Sequence, residues 1–245
     1  MQTKLKRELA VKSFEIIRDL FKFASETKPG FMRNTYLATF HATALTVAIT
    51  VVMTLSCDRA KSEASCIMPK NIQLAAGDIV LRKGTGLTSH AVTMADGSSD
   101  YSHCGIVVDC GNKMMIVHAV PDEPDFEGDK DRVKLESPEK FYSSIRASKG
   151  CVLRCRNRDT AVRSSRLALA IYRRGMLFDN DYDDSDTTSM YCSELIEHVY
   201  SRSGTDLTGG IRHDVRLPGV SFNHVIYPSD FINSKQLEKV AEFKQ

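Results

Sequence analysis

Residues 101–120 read YSHCGIVVDCGNKMMIVHAV, two runs rich in β-branched and other apolar residues on either side of the pair Gly111-Asn112. A glycine-containing pair between two apolar runs is typical of a tight β-hairpin turn. The sequence therefore predicts two paired antiparallel strands, over residues 103–110 and 114–120.

The register of this hairpin determines where its two histidines lie. A two-residue turn pairs Cys110 with Lys113. The same register places Gly105 opposite His118 and sets His103 diagonal to it, on the same face of the sheet. The two Cβ atoms are then about 7 Å apart or a little less, so we expect the imidazoles to lie within hydrogen-bonding distance. A three-residue loop would instead put the rings on opposite faces.

The chain after residue 70 contains further short β-rich runs and two helical patterns. Gly, Asn, Pro and Asp bound the apolar runs, whereas the helical stretches repeat apolar residues every three or four positions. Strands that come first and helices that are interleaved later predict an α+β domain. Besides the hairpin, we expect strands over 79–83 and 151–156 and helices over 159–174 and 192–203.

Cys192 is the first residue of the second predicted helix. The free N–H groups and the positive dipole end of a helix stabilise a thiolate, so this thiol is expected to be a nucleophile near neutral pH. A thiolate, a base and a group that orients the base form the generalised catalytic triad, here with His103 as base and His118 as orienting group. The alternatives are a buried structural cysteine, a histidine at a strand edge and a core histidine, respectively.

Five segments occur in the order found in a known enzyme family. GDIVLRKG from Gly77, YSHCGIVVD from Tyr101, MIVHAVP from Met115, MYCSELIEHVY from Met190 and IYPSDFINSKQLEKV from Ile226 resemble the circularly permuted papain-like cysteine hydrolases of the NlpC superfamily, in the YiiX-like branch. The resemblance covers about 170 residues, and histidine precedes cysteine, the reverse of papain. It implies a permuted papain-like domain with an antiparallel sheet and helices.

The resemblance also implies roles for individual residues. Cys192 is the nucleophile, His103 is the general base, and a polar residue on the next strand completes the set. Relatives in the branch tend to have Glu at this third position, whereas this chain has His118, which resembles the His-His-Cys set of the lecithin:retinol acyltransferase relatives. The substrate-site candidates are Asp78, Tyr101, Asp179 and Tyr191.

These roles imply a cysteine amidase or peptidase that acts on a peptide or acyl-amide substrate, with cell-envelope material as the expected source. One alternative is an acyltransferase or thioesterase that uses the same Cys-His-His set on lipid-type substrates. Another is a non-catalytic envelope module that kept the fold for binding. Labelling the thiol as a function of pH distinguishes the enzyme hypotheses from the binding module, because an ordinary thiol pKa argues against catalysis.

Metal and nucleotide sites are not expected. Cys151 and Cys155 are about 13 Å apart on a strand, too far for one disulfide and awkward for one zinc ion. The acidic tract that begins at Asp179 lacks the Gly and Glu of a calcium loop. Residues 84–86 lack the Lys-Ser/Thr of a phosphate-binding loop. We therefore predict that the chemistry needs no metal and no organic cofactor.

The N-terminal part has a different character. Residues 36–57 contain no Lys, Arg, Asp or Glu and span roughly 33 Å as a helix, long enough to cross a bilayer. Residues 1–35 carry eight cations against four acids, which predicts that the N-terminus stays cytoplasmic and the main domain lies on the periplasmic side of the inner membrane. If translation began at Met32, the run would resemble a lipoprotein signal with Cys57 as the acylated residue.

The predicted organisation follows from these patterns and from the composition. Hydrophobic residues at 42% and charged residues at 26% of 245 exclude a disordered chain and a multi-span membrane protein. A net charge of +2 argues against a nucleic-acid partner. We predict a basic segment over 1–34, a transmembrane anchor or signal over 35–57, a linker over 58–70 and the hydrolase domain over 71–245.

Overall fold

The structure is a computed structural model, and it describes residues 65–183, 188–217 and 220–245. Contacts divide the chain into two units, residues 1–62 and 63–245, and all described residues belong to the second unit. The predicted basic segment and anchor, with Cys57, lie outside the described residues. Within the described ranges, no helix is both long enough and apolar enough to cross a membrane.

The strands of the described domain form two antiparallel sheets. Six of them make the main sheet in the order β4-β3-β2-β1-β5-β8, and β6 pairs with β7 in a small second sheet. In chain order the strands are β1 (Ile79–Gly84), β2 (His103–Asp109), β3 (Met114–Val120), β4 (Arg132–Glu136), β5 (Ala147–Cys155), β6 (His213–Leu217), β7 (Val220–Val225) and β8 (Leu237–Lys244).

Helices lie between and beside these strands. The described residues include α1 (Leu87–Asp96), α2 (Pro138–Phe141), α3 (Arg158–Arg173), α4 (Cys192–Arg202) and α5 (Pro228–Ile232). The predicted α+β class with an antiparallel sheet is confirmed. The sequence did not predict the helices α1, α2 and α5 or the strands β4, β6, β7 and β8.

The β2–β3 hairpin has the predicted register. Ile106 pairs with Val117, and the Cys110 N–H donates to the Lys113 carbonyl over 3.0 Å. Paired positions therefore sum to 223, and the two-residue turn is confirmed. Gly105 has no room for a side chain, because a Cβ there would lie 3.1 Å from the His118 Cβ.

Apolar side chains of the main sheet alternate between two cores. One face, which includes Leu81 and Ile106, packs on α3 and α4, and Leu195 of α4 belongs to the same core. The other face includes Val107 and is covered by Phe141 and other residues of the segment that follows β4. This alternation is what a strand period of two requires when both faces of a sheet are buried. Because of this alternation, the Cys104 side chain lies on the α4 side of β2 and the His103 side chain lies on the Phe141 side.

Residues 65–70 are the described part of the predicted linker. The Ile67 N–H donates to the Tyr142 carbonyl over 2.9 Å, and Cys66 forms an isolated β-bridge with Ser143. Ile67 and Met68 pack against the core on the Phe141 side of the sheet. This part of the chain therefore lies on the domain rather than extending from it.

Candidate active site

Cys192 is the first residue of α4, as predicted from the sequence. The helix begins after Tyr191, which has extended backbone geometry, and the Glu194 carboxylate accepts the Tyr191 N–H over 3.2 Å. Leu195 and Ile196 are buried against the sheet and hold the helix in place. The first amides of a helix have no partner within it, so they remain available to a charge or a ligand beside Cys192.

Two neighbours from β2 change the acidity of this thiol. A hydrogen bond from the Cys104 side chain, followed by a hydrogen bond and positive charge from His103, hold the pKa of Cys192 well below its usual range despite burial. Burial raises the pKa of Cys104 well above its usual range, so Cys104 remains a thiol. Cys192 is therefore the member of this pair that exists as a thiolate.

The two histidines of the hairpin are in contact, as the register predicted. Nε2 of His103 lies 2.9 Å from Nδ1 of His118, and the ring planes meet at 78°. Phe141 packs against both rings, with centroid distances of 5.7 and 5.2 Å. The aromatic contacts and the hydrogen bond restrict both rings to one orientation.

Glu136, at the end of β4, adds a carboxylate to this pair of imidazoles. Sequence reasoning missed this third group. Its Oε2 lies 3.1 Å from Nε2 of His118, and both side chains are almost fully buried. At this distance an N–H on Nε2 interacts with the carboxylate, although the angle departs from that of a linear hydrogen bond. In residues 132–136, RVKLE, charged residues alternate with apolar ones. This alternation is the signal that predicts a strand with one polar face.

Burial and neighbouring charges set the protonation of this pair. Burial lowers the pKa of His118 to about 4, although the hydrogen bond to Glu136 acts in the opposite direction. Burial alone would raise the pKa of Glu136, but the hydrogen bond and charge of His118, together with Lys140 and Arg146, bring it well below its usual range. Near neutral pH, His118 is therefore neutral and Glu136 is a carboxylate.

A second charged group lies on the same face of the sheet. Arg82 is the cross-strand partner of His103, and its guanidinium lies 4.7 Å from the centroid of the Phe141 ring. It pairs with Glu123, which also accepts a contact of 2.8 Å from Arg146. These paired charges form the polar end of the site.

A cleft of about 920 Å³ opens over Cys192 and His103. Arg82 and its partners line part of the cleft, and most of the other lining residues are apolar. Part of the lining comes from α1, which has no buried residue. The aromatic residues of the lining are Phe178, Tyr182, Tyr191, Phe222 and Tyr227.

The four predicted substrate-site residues occupy different places. Tyr191 lines the cleft, and its hydroxyl accepts the Ile226 N–H over 3.0 Å. The other three are buried outside the cleft lining and support the fold around it. Tyr101 donates its hydroxyl to Glu242 over 2.8 Å, whereas Asp179 accepts two backbone N–H groups of its own loop.

Asp78 is the third of these residues, and its partners explain why it is absent from the cleft. Its carboxylate accepts hydrogen bonds from the Arg154 guanidinium over 2.8 and 2.7 Å and from the Ala75 N–H over 2.8 Å. The side chain is fully buried. It therefore links the start of β1 to β5 instead of facing a substrate.

Asp78→Asn is expected to lower the free energy of unfolding by about 1–3 kcal/mol, because the partly exposed Arg154 loses its buried partner but can still be hydrated. KM should not change. Urea unfolding and steady-state kinetics measure the two effects. Glu238→Gln is the matched control, since its pair with Arg156 is at the surface and contributes little. A raised KM with unchanged stability would instead place Asp78 at the substrate.

Comparisons with known proteins agree with this geometry. The crystal structure of metalloprotein yiiX from Escherichia coli O157:H7 is similar, with a TM-score of 0.56 and 21% sequence identity over 71% of this chain and 99% of that chain. In the described ranges of this chain, no three His, Cys, Asp or Glu side chains are grouped so that they could hold a metal ion. No curated protein matches the sequence.

The family comparison covers most of the domain. The model of a family described as permuted papain-like amidase enzyme, YaeF/YiiX, C92 family matches residues 73–241. These residues include the hairpin, β4 and all of α4, so Cys192, both histidines and Glu136 lie inside the match. The chain therefore belongs to the YaeF/YiiX, C92 family of permuted papain-like amidases and is a cysteine hydrolase.

Proposed function

We propose that the protein cleaves an amide bond with Cys192 as nucleophile and His103 as general base. The observation that carries this proposal is the position of Cys192, at a helix start and in a cleft that His103 also lines, where His103 lowers the pKa of the thiol. Each of these features favours the thiolate, and together they satisfy the requirements for nucleophilic catalysis.

The steps follow from the positions of these groups. The Cys192 thiolate attacks the substrate carbonyl carbon, and backbone N–H groups at the start of α4 stabilise the oxyanion. The protonated His103 gives its proton to the departing amine, which leaves a thioester on Cys192. His103 then removes a proton from water, which attacks the thioester and releases the acid and the thiolate.

The test of this function is capture of the thioester intermediate. The full chain is incubated with cell-wall peptides, acyl amides and simple esters, and the intact mass is followed with rapid acid quenching. We expect a mass increase equal to the acyl group, located on the peptide that contains Cys192, and we expect none for Cys192→Ala. Turnover by wild type and Cys192→Ala at equal rates would contradict the proposal.

The proposed substrate source is the cell envelope. Support comes from the uncharged run over residues 36–57 and the excess of cations before it, which together place the hydrolase domain outside the cytoplasm. The exposed Cys110 allows a test of the side of the membrane on which the domain lies. A membrane-impermeant thiol reagent should label it in intact bacterial cells only if the domain lies outside the cytoplasm. Labelling that requires lysis would contradict this placement.

A second candidate function is favoured by the cleft walls. Ala91, Val92 and Ala95 of α1 line the cleft together with Phe178 and Phe222, so the cleft offers apolar surface from several elements. Such a surface fits a long acyl chain, which is the substrate of a thioesterase or of an acyltransferase on lipid-type molecules. The same Cys192 chemistry would serve either reaction.

An acyl-chain series separates the two candidates. If the acyl chain of the substrate binds against the apolar lining, kcat/KM for acyl thioesters should rise by up to about fourfold per added methylene between acetyl and palmitoyl. Val92→Asp should remove this dependence, whereas Met94→Asp, which is exposed on the same helix and outside the cleft lining, should not. A flat series in the wild type would exclude the lipid-type candidate.

A further inference from the structure

We propose that Glu136 is a positioning residue for this reaction: it acts through His118 to keep Nδ1 of His103 as the nitrogen that exchanges a proton with Cys192. This inference rests on the proposed function and adds a fourth residue to it. Glu136 does not itself line the cleft, and its shortest route to the thiol runs through the two imidazoles, although its partner Arg146 does line the cleft.

The geometry defines the direction of each proton in the chain. The Glu136 carboxylate can only accept, so Nε2 of His118, which lies 3.1 Å from it, carries the hydrogen. A neutral imidazole has one N–H, and Nδ1 of His118 is therefore an acceptor. Nε2 of His103, at 2.9 Å, must be the donor to it. This leaves Nδ1 of His103 as the nitrogen free to act on the Cys192 thiol.

The opposite arrangement shows why the carboxylate matters. With no acceptor at Nε2, neutral His118 can carry its hydrogen on Nδ1 instead and donate to His103. Nε2 of His103 would then accept, its hydrogen would move to Nδ1, and no base would face Cys192. A carboxylate behind His118 excludes this tautomer, and its negative charge also stabilises the imidazolium that forms on His103 during the reaction.

Two cations keep Glu136 ionised, and one of them, Arg146, contacts the same carboxylate oxygen as His118. Lys140 lies 2.7 Å from Oε1, and Arg146 lies 3.1 Å from Oε2. These contacts offset part of the cost of burying a carboxylate. They also raise a purely structural interpretation, in which Glu136 only joins β4 to the residues after it. The experiment must therefore separate the ion pairs from the contact with His118.

Glu136→Gln is the central variant, because its amide can donate to His118 and favour the wrong tautomer. We expect kcat to fall by about 10- to 100-fold with little change in KM. We also expect the midpoint of Cys192 alkylation by iodoacetamide to move to higher pH, because the imidazolium beside the thiolate is less stabilised. Glu139→Gln, on the exposed side of α2, should change neither quantity.

Lys140→Met removes an ion pair from Glu136 but leaves the His118 contact, so it should not reproduce the alkylation shift. In a His118→Gln background, Glu136→Gln should shift the midpoint much less than in the wild type, since the connection is already absent. Equal shifts in both backgrounds, or an equal shift in Lys140→Met, would overturn the inference.

Two further outcomes are distinguishable. If Glu136→Gln does not fold, Glu136→Asp withdraws the carboxylate from His118 while keeping its charge, and it should raise the midpoint in the same direction. If the wild-type midpoint is that of an ordinary thiol, the proposed function fails. If the wild-type midpoint is low and neither Glu136 variant moves it, the function stands and the role of Glu136 is rejected.

Discussion

Cys192→Ala is expected to lower kcat for amide or thioester cleavage by about 10⁴- to 10⁶-fold, because it removes the thiolate that forms the covalent intermediate. The thermal unfolding midpoint should remain close to that of the wild type, since the side chain is partly exposed and loses only its sulfur. Cys192→Ser should be nearly as inactive, because a hydroxyl is not ionised by the interactions that ionise the thiol.

The control for this prediction is Cys110→Ala, which removes an exposed cysteine that lies beside the hairpin turn. It should retain wild-type kcat and KM. Steady-state assays must be made on extensively purified protein, because a small amount of contaminating hydrolase would hide a loss of this size. Loss of activity in Cys110→Ala but not in Cys192→Ala would require a different nucleophile.

His103→Gln is expected to lower kcat by about 10²- to 10⁴-fold, the usual contribution of a general acid–base residue. A second effect concerns Cys192 itself. The hydrogen bond and charge of His103 lower the pKa of that thiol, so their removal should raise it toward the ordinary value near 8.5. The thiolate fraction at neutral pH then falls.

Iodoacetamide labelling of Cys192 as a function of pH measures the second effect without a substrate. The labelling midpoint of His103→Gln should lie at higher pH than that of the wild type. His90→Gln, at an exposed position of α1 outside the cleft lining, should leave both the midpoint and kcat unchanged. An unchanged midpoint in His103→Gln would mean that Cys104 and the helix alone set the acidity of Cys192.

The parts of the site that the sequence predicted depend on local rules. The Gly111-Asn112 turn fixes the register of its two strands, and the register alone brings His103 to His118. The position of Cys192 at a helix start follows from the apolar period of the residues after it. These conclusions needed no knowledge of distant parts of the chain.

The parts that sequence reasoning missed depend on distant pairing. Glu136 reaches His118 only because β4 adds to β3 after a charged loop that offers no short turn signal. Only the family resemblance suggested Asp78 as a substrate-site residue. Its side chain instead binds Arg154, 76 positions away. Local patterns reveal neither contact, because a strand sequence does not specify which strand it will pair with.

The order of the site residues along the sequence also determines when the nucleophile Cys192 is added during synthesis of the protein. His103, His118 and Glu136 all precede Cys192, which follows His103 by 89 positions. A ribosome that adds about 5–20 residues per second delivers Cys192 on the order of 4–18 s after His103. The nascent chain therefore carries the base long before it carries the nucleophile. Because β8 pairs with β5, the sheet that carries His103 gains its last described strand only after Cys192 has been added to the chain.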